Sequence, residues 1–310
     1  MATRFEVVLF GSRPEALRAA GEEALDEVES VEAWMSPYRT DSSLALLHRE
    51  AHRYPGEPIP VDPRLFAFLS AAIDLAQETE GAFDPTVGPL LRRCGLGVSA
   101  SVMPVESPGF APIGWQHVAL DPVRRTVRFL RPGIEFHPGA VGKGWALDRA
   151  AEVLREAGVA SALLHGGTSS VVALGHPPDA ENWRVALPQP PVGWRCHWPD
   201  GAAPEVALMD ETLSVSAAWG RSMRTGDDAV PHIFDPRTDR PAKAMAVAAV
   251  ALPSATASDA WSTALFVDGH AGRQRLESLK PGVRCWLLES GVNPDARSSI
   301  GGAALPPSVT

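Results

Sequence analysis

The order in which helical and strand-like stretches follow one another limits this fold more than any single motif. The two periods are mixed without a regular strand–helix–strand alternation, which argues for an α+β architecture with antiparallel sheet rather than a doubly wound parallel one. Residues 4–10 read as a buried strand, and Ser12 is placed to cap a helix, with Glu15 completing a capping box. Leu17, Ala20, Ala24, Val28, Val31 and Met35 keep the helical period until Ser36-Pro37 stops it. YRTDSSLALLHRE begins as a loop and turns into a short helix. Asp62 caps the next helix, Pro63 takes its first position, and Gly81 gives it a left-handed stop. Residues 97–114, rich in Gly, Pro and Ser, read as loop; WQHVALD and RTVRFL form a hairpin about Asp121-Pro122. A third helix spans about 143–157 and closes at Gly158, with SALLH and SVVALG as strands beyond it. Apart from the strand WRVAL, 176–204 is proline-rich loop. Strands near 205–209, 212–216 and 245–252 precede a helix at about 256–267, and RCWLLE is a late strand. Residues 1–290 are expected to form a single domain of two lobes, and 291–310 a weakly ordered tail.

Composition narrows the partners. With 45% hydrophobic and 21% charged residues, the 310-residue chain is globular in type. A net charge of −9 without a basic patch interleaved with aromatics argues against nucleic acid. An acidic protein can still take a phosphate-rich ligand, through a local donor cluster or a bridging cation. Cys94, Cys196 and Cys285 are odd in number and widely spaced, which favours a reducing compartment. The start MATRFEVVLFG has no cleavage site, and no apolar run is long enough to insert in a membrane. A cytoplasmic protein is expected; its oligomeric state is open.

Several patterns fail on inspection. HPGAVGKG has His137 where a phosphate-binding loop needs its first glycine, and Gly144 where it needs Ser or Thr. Leu147 replaces the third glycine of a dinucleotide fingerprint. His48 and His52 stand four apart, but in a charged segment that reads as surface.

Other patterns hold. Asp259 and Thr263 lie at i and i+4 on one helix face. A carboxylate and a hydroxyl so placed can share a hard cation such as Mg²⁺; an exposed aspartate and a packing threonine would leave the same pattern. Lys143 follows a glycine-rich turn at a helix start, where amides, dipole and ammonium suit an anion; a solvated lysine that simply begins a helix would leave the same pattern. Asp84-Pro85 in GAFDPTVGPLL is accounted for as a turn, which leaves the clustering of Gly81, Phe83, Asp84 and Gly88 unexplained. His165-Gly166-Gly167-Thr168 fits a tight turn or a backbone approaching a ligand equally well.

The order of these blocks is more specific than any one of them. GAFDPTVGPL, GAVGKGWALDRAAEVL, LLHGG, NWRVAL, HIFDPRT and SDAWSTALFVDG, with MATRFEV and MSPYRTDSSLALL at the start, resemble the FAD:protein FMN transferase (ApbE-like) family over roughly residues 1–270. The resemblance implies a T-fold-related α+β structure, largely antiparallel, with FAD in a cleft between two lobes. It implies Mg²⁺-dependent transfer of FMN from FAD to a Thr or Ser hydroxyl of a target protein, releasing AMP. By the same resemblance His232 is the general base, worth about 10²–10⁴-fold, and Asp235-Pro236 fix the turn that aims it. Asp259, Thr263 and the carbonyl of Ala140 hold the metal, and Lys143 lies near the flavin nucleotide. Met1, Tyr38, Ala82, Phe83, Asp84, His137, Ile233 and Ser262 fall at or near positions lining FAD.

The chain departs from the family pattern at several points. Asp239 stands for the usual Gly after DPRT, and His137-Pro138 for Asp-Leu, which implies that a contact to FAD is lost or altered. SAAWG replaces a Ser-Gly-aromatic pattern, HGGTSS lacks an acidic or amide residue after Gly-Gly, and His48 replaces Asn. This is the pattern of a divergent member that keeps metal and base. Two other uses of the same site are FAD hydrolysis to FMN and AMP, and flavin binding without catalysis.

Overall fold

One six-stranded sheet organises the chain, in the order β1 (Phe5–Phe10), β5 (Ser161–Gly166), β6 (Ser170–Leu174), β9 (Thr212–Ala217), β14 (Met245–Leu252) and β15 (Arg284–Glu289). The computed structural model describes residues 3–94, 112–194, 196–219, 223–225, 228–230 and 233–290. Every neighbouring pair in the sheet is antiparallel. Only residues 167–169 join β5 to β6, far short of the dozen or so that a parallel crossover needs.

Successive strand side chains point to opposite faces, and here each face has its own core. Ala162, Leu164, Val172, Leu174, Ala248 and Val250 face a helical layer; Leu163, Val171, Ala173, Leu213, Val247 and Ala249 face the other way. The helical layer is α1 (Pro14–Met35), α5 (Gly142–Glu156) and α6 (Ala255–Asp268), with α3 (Pro63–Glu78) packed on α6. Trp261 is fully buried within it, and its Nε1 donates to Glu78 Oε2 at 3.2 Å. Burying each large apolar side chain there stabilises the fold by ~1.5–3 kcal/mol. The other face is covered by the hairpin β7 (Trp183–Ala186) and β8 (Glu205–Leu208), with Leu187 and Trp198. Strands β2 (Ile59–Pro60), β4 (Thr126–Phe129) and β3 (Val118–Asp121) make a small antiparallel sheet. Short hairpins pair β10 (Met223–Thr225) with β11 (Asp228–Val230), and β12 (Phe234–Asp235) with β13 (Arg240–Pro241). Helices α2 (Ser43–Arg53), α4 (Gly88–Arg93) and α7 (His270–Leu279) complete the described elements.

The helix caps follow local chemistry. Asp62 accepts from the N–H of Arg64 and Leu65 at 3.0 Å each, with Pro63 at the first helical position. Beyond α3, Gly81 is left-handed (φ 77°), and its N–H donates to Ala76 O. At α1 the expectation fails: Arg13, not Ser12, holds the cap position, and it makes no side-chain cap bond. Pro14 decides the start, because its ring is already set for the first helical position. The first strand is also not buried on both faces. β1 lies at the sheet edge, and Val8 and Phe10 are exposed. Residues 115–117 form a 3₁₀ turn rather than extending the hairpin strand. Residues 97–111 and 291–310 lie outside the described residues. No helix among the described residues is long and apolar enough to cross a membrane.

Candidate active site at the crossing of α5 and α6

Helices α5 and α6 cross so closely at Gly144 that a Cβ there would lie 2.2 Å from the Ala255 carbonyl oxygen. Each helix lends a carboxylate to the N-terminus of the other. The cap residue of α5, Val141, makes no side-chain bond to the first-turn N–H groups. Asp259 of α6 supplies an acceptor: its Oδ2 takes the Gly144 N–H at 3.2 Å. Both its oxygens also accept from Lys143 Nζ, at 2.9 and 3.1 Å. Ser170 Oγ, on β6, donates to Oδ1 at 3.4 Å. In return Asp148 of α5 accepts from Ala255 N (2.7 Å), Thr256 N (2.9 Å), Ser254 Oγ (2.8 Å) and Thr256 Oγ1 (2.6 Å) at the start of α6.

Beside Asp259 the interface between α6 and the sheet is built of hydroxyls. Ser216 Oγ on β9 lies 3.0 Å from Ser262 Oγ and 3.4 Å from Thr263 Oγ1. Both of the latter donate to the Asp259 carbonyl, at 2.9 and 3.3 Å. Ser214 Oγ is buried on the same strand without a hydrogen-bond partner, an oxygen with capacity to spare.

A strap of residues, 135–140, delivers the glycine-rich turn to α5. His137 N donates to Pro85 O at 2.7 Å, and Val87 forms a parallel bridge with Glu135, so the GAFDP loop and the strap run side by side. On the strap's other side Phe136 N donates to His48 Nε2 at 3.0 Å. His48 is therefore not the surface residue its charged neighbours suggest, although His52 is exposed. Burial, with the nearby charge of Arg92, lowers the His48 pKa to about 3, so its ring is a neutral acceptor. Arg92 pairs with Glu135 on the strap. In the turn of Pro138–Ala140, Gly139 N donates to His137 Nδ1 at 3.2 Å. The neutral His137 ring then carries its proton on Nε2, which lies 3.4 Å from the exposed Tyr38 hydroxyl.

Asp84 is spent on its own loop and on the 3₁₀ turn at Trp115. It accepts from Thr86 N (2.8 Å), Thr86 Oγ1 (2.6 Å) and Trp115 N (3.0 Å). Burial nevertheless raises its pKa, against the opposing pull of these bonds. Ala82 and Phe83 are 1% and 2% exposed within the helical core, so a ligand beside this loop would meet backbone rather than those side chains.

Residues 234–241 form the β12–β13 hairpin. Arg237 bonds Asp235 and reaches Asp268 at the end of α6, and Asp268 in turn holds Arg275 of α7. Burial opposes the Asp235 carboxylate, but the Arg237 bonds outweigh it and hold its pKa below the usual range. Those same bonds raise the Arg237 pKa. Asp239 does adopt the left-handed conformation of the glycine it replaces (φ 56°), and its carboxylate pairs with Arg93 of α4 at 2.8 Å. Ile233 is half-buried against the main core, and its carbonyl accepts from Ala242 N. Met1 and His232 lie outside the described residues.

Lys143, Asp259, Ser262 and Thr263 thus come together, and the turn bearing Ala140 packs against α6. Sequence reasoning missed Ser170, Ser216 and Asp148. A cation at Asp259 would meet one carboxylate and neutral oxygens, since among the described residues no three His, Cys, Asp or Glu side chains converge. That donor set suits a hard ion such as Mg²⁺ and not a zinc site. The Lys143 ammonium on both carboxylate oxygens already marks the place as one for positive charge.

The ApbE family model matches residues 1–287. An FAD:protein FMN transferase of Rhodobacter capsulatus is 32% identical over 240 residues, 75% of this chain and 43% of that relative, so the chain spans less than half of that protein. One from Salmonella typhimurium is 28% identical, over 76% of this chain and 67% of the relative. Among solved structures, the ApbE protein of Thermotoga maritima is similar with a TM-score of 0.76 and 23% identity, over 93% of this chain and 95% of that one. Flavin transferase ApbE from Vibrio cholerae gives 0.72 and 24%, over 93% and 90%.

Proposed function

The chain belongs to the ApbE family, and on that premise we propose that it transfers FMN from FAD to a Thr or Ser hydroxyl of a target protein, releasing AMP. The observation that carries the reading is the meeting of Asp259 with Lys143 and Gly144 N at the start of α5. A helix N-terminus with an ammonium attracts a diphosphate, and the carboxylate beside it attracts a cation that can bridge to the same group. Asp259, Thr263 and the Ala140 carbonyl would hold Mg²⁺, which neutralises charge on the diphosphate when bound. His232, two residues before Phe234 in the sequence, takes the proton of the attacking hydroxyl. That oxygen bonds to the FMN phosphorus as the bond to the AMP oxygen breaks. The protein does little covalent chemistry in such a reaction; positioning and charge carry it. Three free, dispersed cysteines are in keeping with a cytoplasmic setting.

The test is incubation with FAD and Mg²⁺, with a flavin-accepting protein present. AMP release together with covalent flavin fluorescence on the acceptor is expected. AMP and free FMN without a labelled acceptor would make the protein a hydrolase, and no AMP would leave only flavin binding. His232→Ala is expected to abolish turnover while FAD still binds; an active variant would remove His232 as the base.

A further inference from the structure

The Lys143–Asp259 pair satisfies both charges, yet the proposed function asks each for another partner. The two contacts are 2.9 and 3.1 Å, with the Lys143 side chain 17% and the Asp259 side chain 6% exposed. A carboxylate so buried is costly to leave without a counter-charge. Its other donors, Gly144 N and Ser170 Oγ, are neutral, so Lys143 supplies the compensating charge.

We propose that Lys143 is a place-holding cation, which neutralises Asp259 until Mg²⁺ displaces it and is thereby released to the diphosphate. The inference rests on the metal role proposed for Asp259. The parts permit the exchange. Gly144 N–H is fixed in the helix backbone, so Asp259 keeps one donor and its orientation while the ammonium leaves. Lys143 has a flexible stem and a compact head with three donors, and it sits in the first turn of α5, beside N–H groups that favour an anion. A cation on Asp259 frees Lys143, and an anion on Lys143 frees Asp259. By linkage each ligand must then tighten the other by the same factor.

The exchange is tested by Mg²⁺ titration of the FAD-free protein, calorimetrically, for wild type, Lys143→Met and Lys143→Arg. With the competitor removed, Lys143→Met is expected to bind Mg²⁺ on the order of tenfold tighter than wild type. Lys143→Arg keeps a cation on the carboxylate and is expected to stay near wild type. Equal affinity in a folded Lys143→Met protein overturns the place-holder. If neither wild type nor Lys143→Met binds Mg²⁺, the metal role of Asp259 falls and takes the place-holder with it. Should Lys143→Met fail to fold, the wild type provides the reading. Acylation of Lys143 by a small amine-reactive reagent, followed by mass spectrometry, is expected to speed up several-fold with Mg²⁺. An unchanged rate overturns the proposal.

Discussion

Asp148 and Asp259 each serve the N-terminus of the neighbouring helix, one on each side of the same crossing, and they are satisfied in different ways. Asp148 takes four bonds from backbone N–H groups and hydroxyls of α6. The two backbone donors cannot leave without unravelling the helix start, and the two hydroxyls sit on short side chains beside them. Asp259 takes one backbone N–H and one long serine bond, and otherwise depends on an ammonium at the end of a side chain. Neutral, fixed donors make a carboxylate part of the scaffold. A mobile cation leaves it available for another cation. Asp259 is buried and Asp148 half-buried, so the two differ in exposure as well as in donor type, and it is donor type that marks Asp148 as scaffold and Asp259 as the proposed cation ligand.

The widest separation should appear in turnover. Asp259→Asn keeps an acceptor for Gly144 N–H but removes the charge, and AMP release from FAD is expected to fall by ~10²–10³-fold, measured by chromatography of the nucleotide. Asp148→Ala should act on stability instead. Losing a charged cap with all its partners is expected to cost ~2–3 kcal/mol, seen as a melting temperature lower by several degrees. The increment in melting temperature on adding Mg²⁺ should survive in Asp148→Ala and vanish in Asp259→Asn. Equal loss in both would erase the distinction. The smallest effect concerns His48, which belongs with Asp148 as a group spent inward. Its folded pKa of about 3 lies below the ordinary 6.5, so the unfolded chain binds the extra proton first. Stability from the neutral ring is complete above pH 6.5 and is lost as pH falls from there toward 3, with a slope of at most ~1.4 kcal/mol per pH unit. His48→Asn offers Phe136 N–H a carbonyl that does not titrate. Denaturant unfolding across that window should therefore show the variant losing less stability than wild type; parallel curves would contradict the assignment.

Strongly periodic segments made most of the fold legible in the sequence. α1, α3, α5 and α6 and the strands of the large sheet announce themselves by apolar spacing and by Asp62-Pro63, Gly81 and Gly158. α7 does not, because HAGRQRLESL is largely polar and buries only Gly272 and Leu276. Asp259 with Thr263, and Lys143 after its turn, were readable because each is a local pattern. Their union was legible only through the family resemblance, not from local pattern, since the lysine and the aspartate stand 116 residues apart. Ser170, Ser216 and Asp148 carry no local signal, for serines on strands and an aspartate inside a helix are common. His48 had a faint one, lying four residues from buried Leu44 on the same helix face, but its charged neighbours outweighed it.

The closeness of α5 and α6 at Gly144 has an implication for how this site tolerates change. The clearance there is less than one methyl group, and the atom across the gap is a main-chain oxygen that cannot rotate aside. Loops around the site have adjusters: Asp239 took a glycine's conformation and found Arg93, and His137 found Gly139 N. The crossing has none. Gly144 works as a gauge block, setting the spacing of two rigid rods, and the reach of Lys143 to Asp259 is measured from it. Sequence drift can reshape the rim of this site by side-chain substitution, whereas a single carbon added at 144 would alter the dimension on which the centre depends.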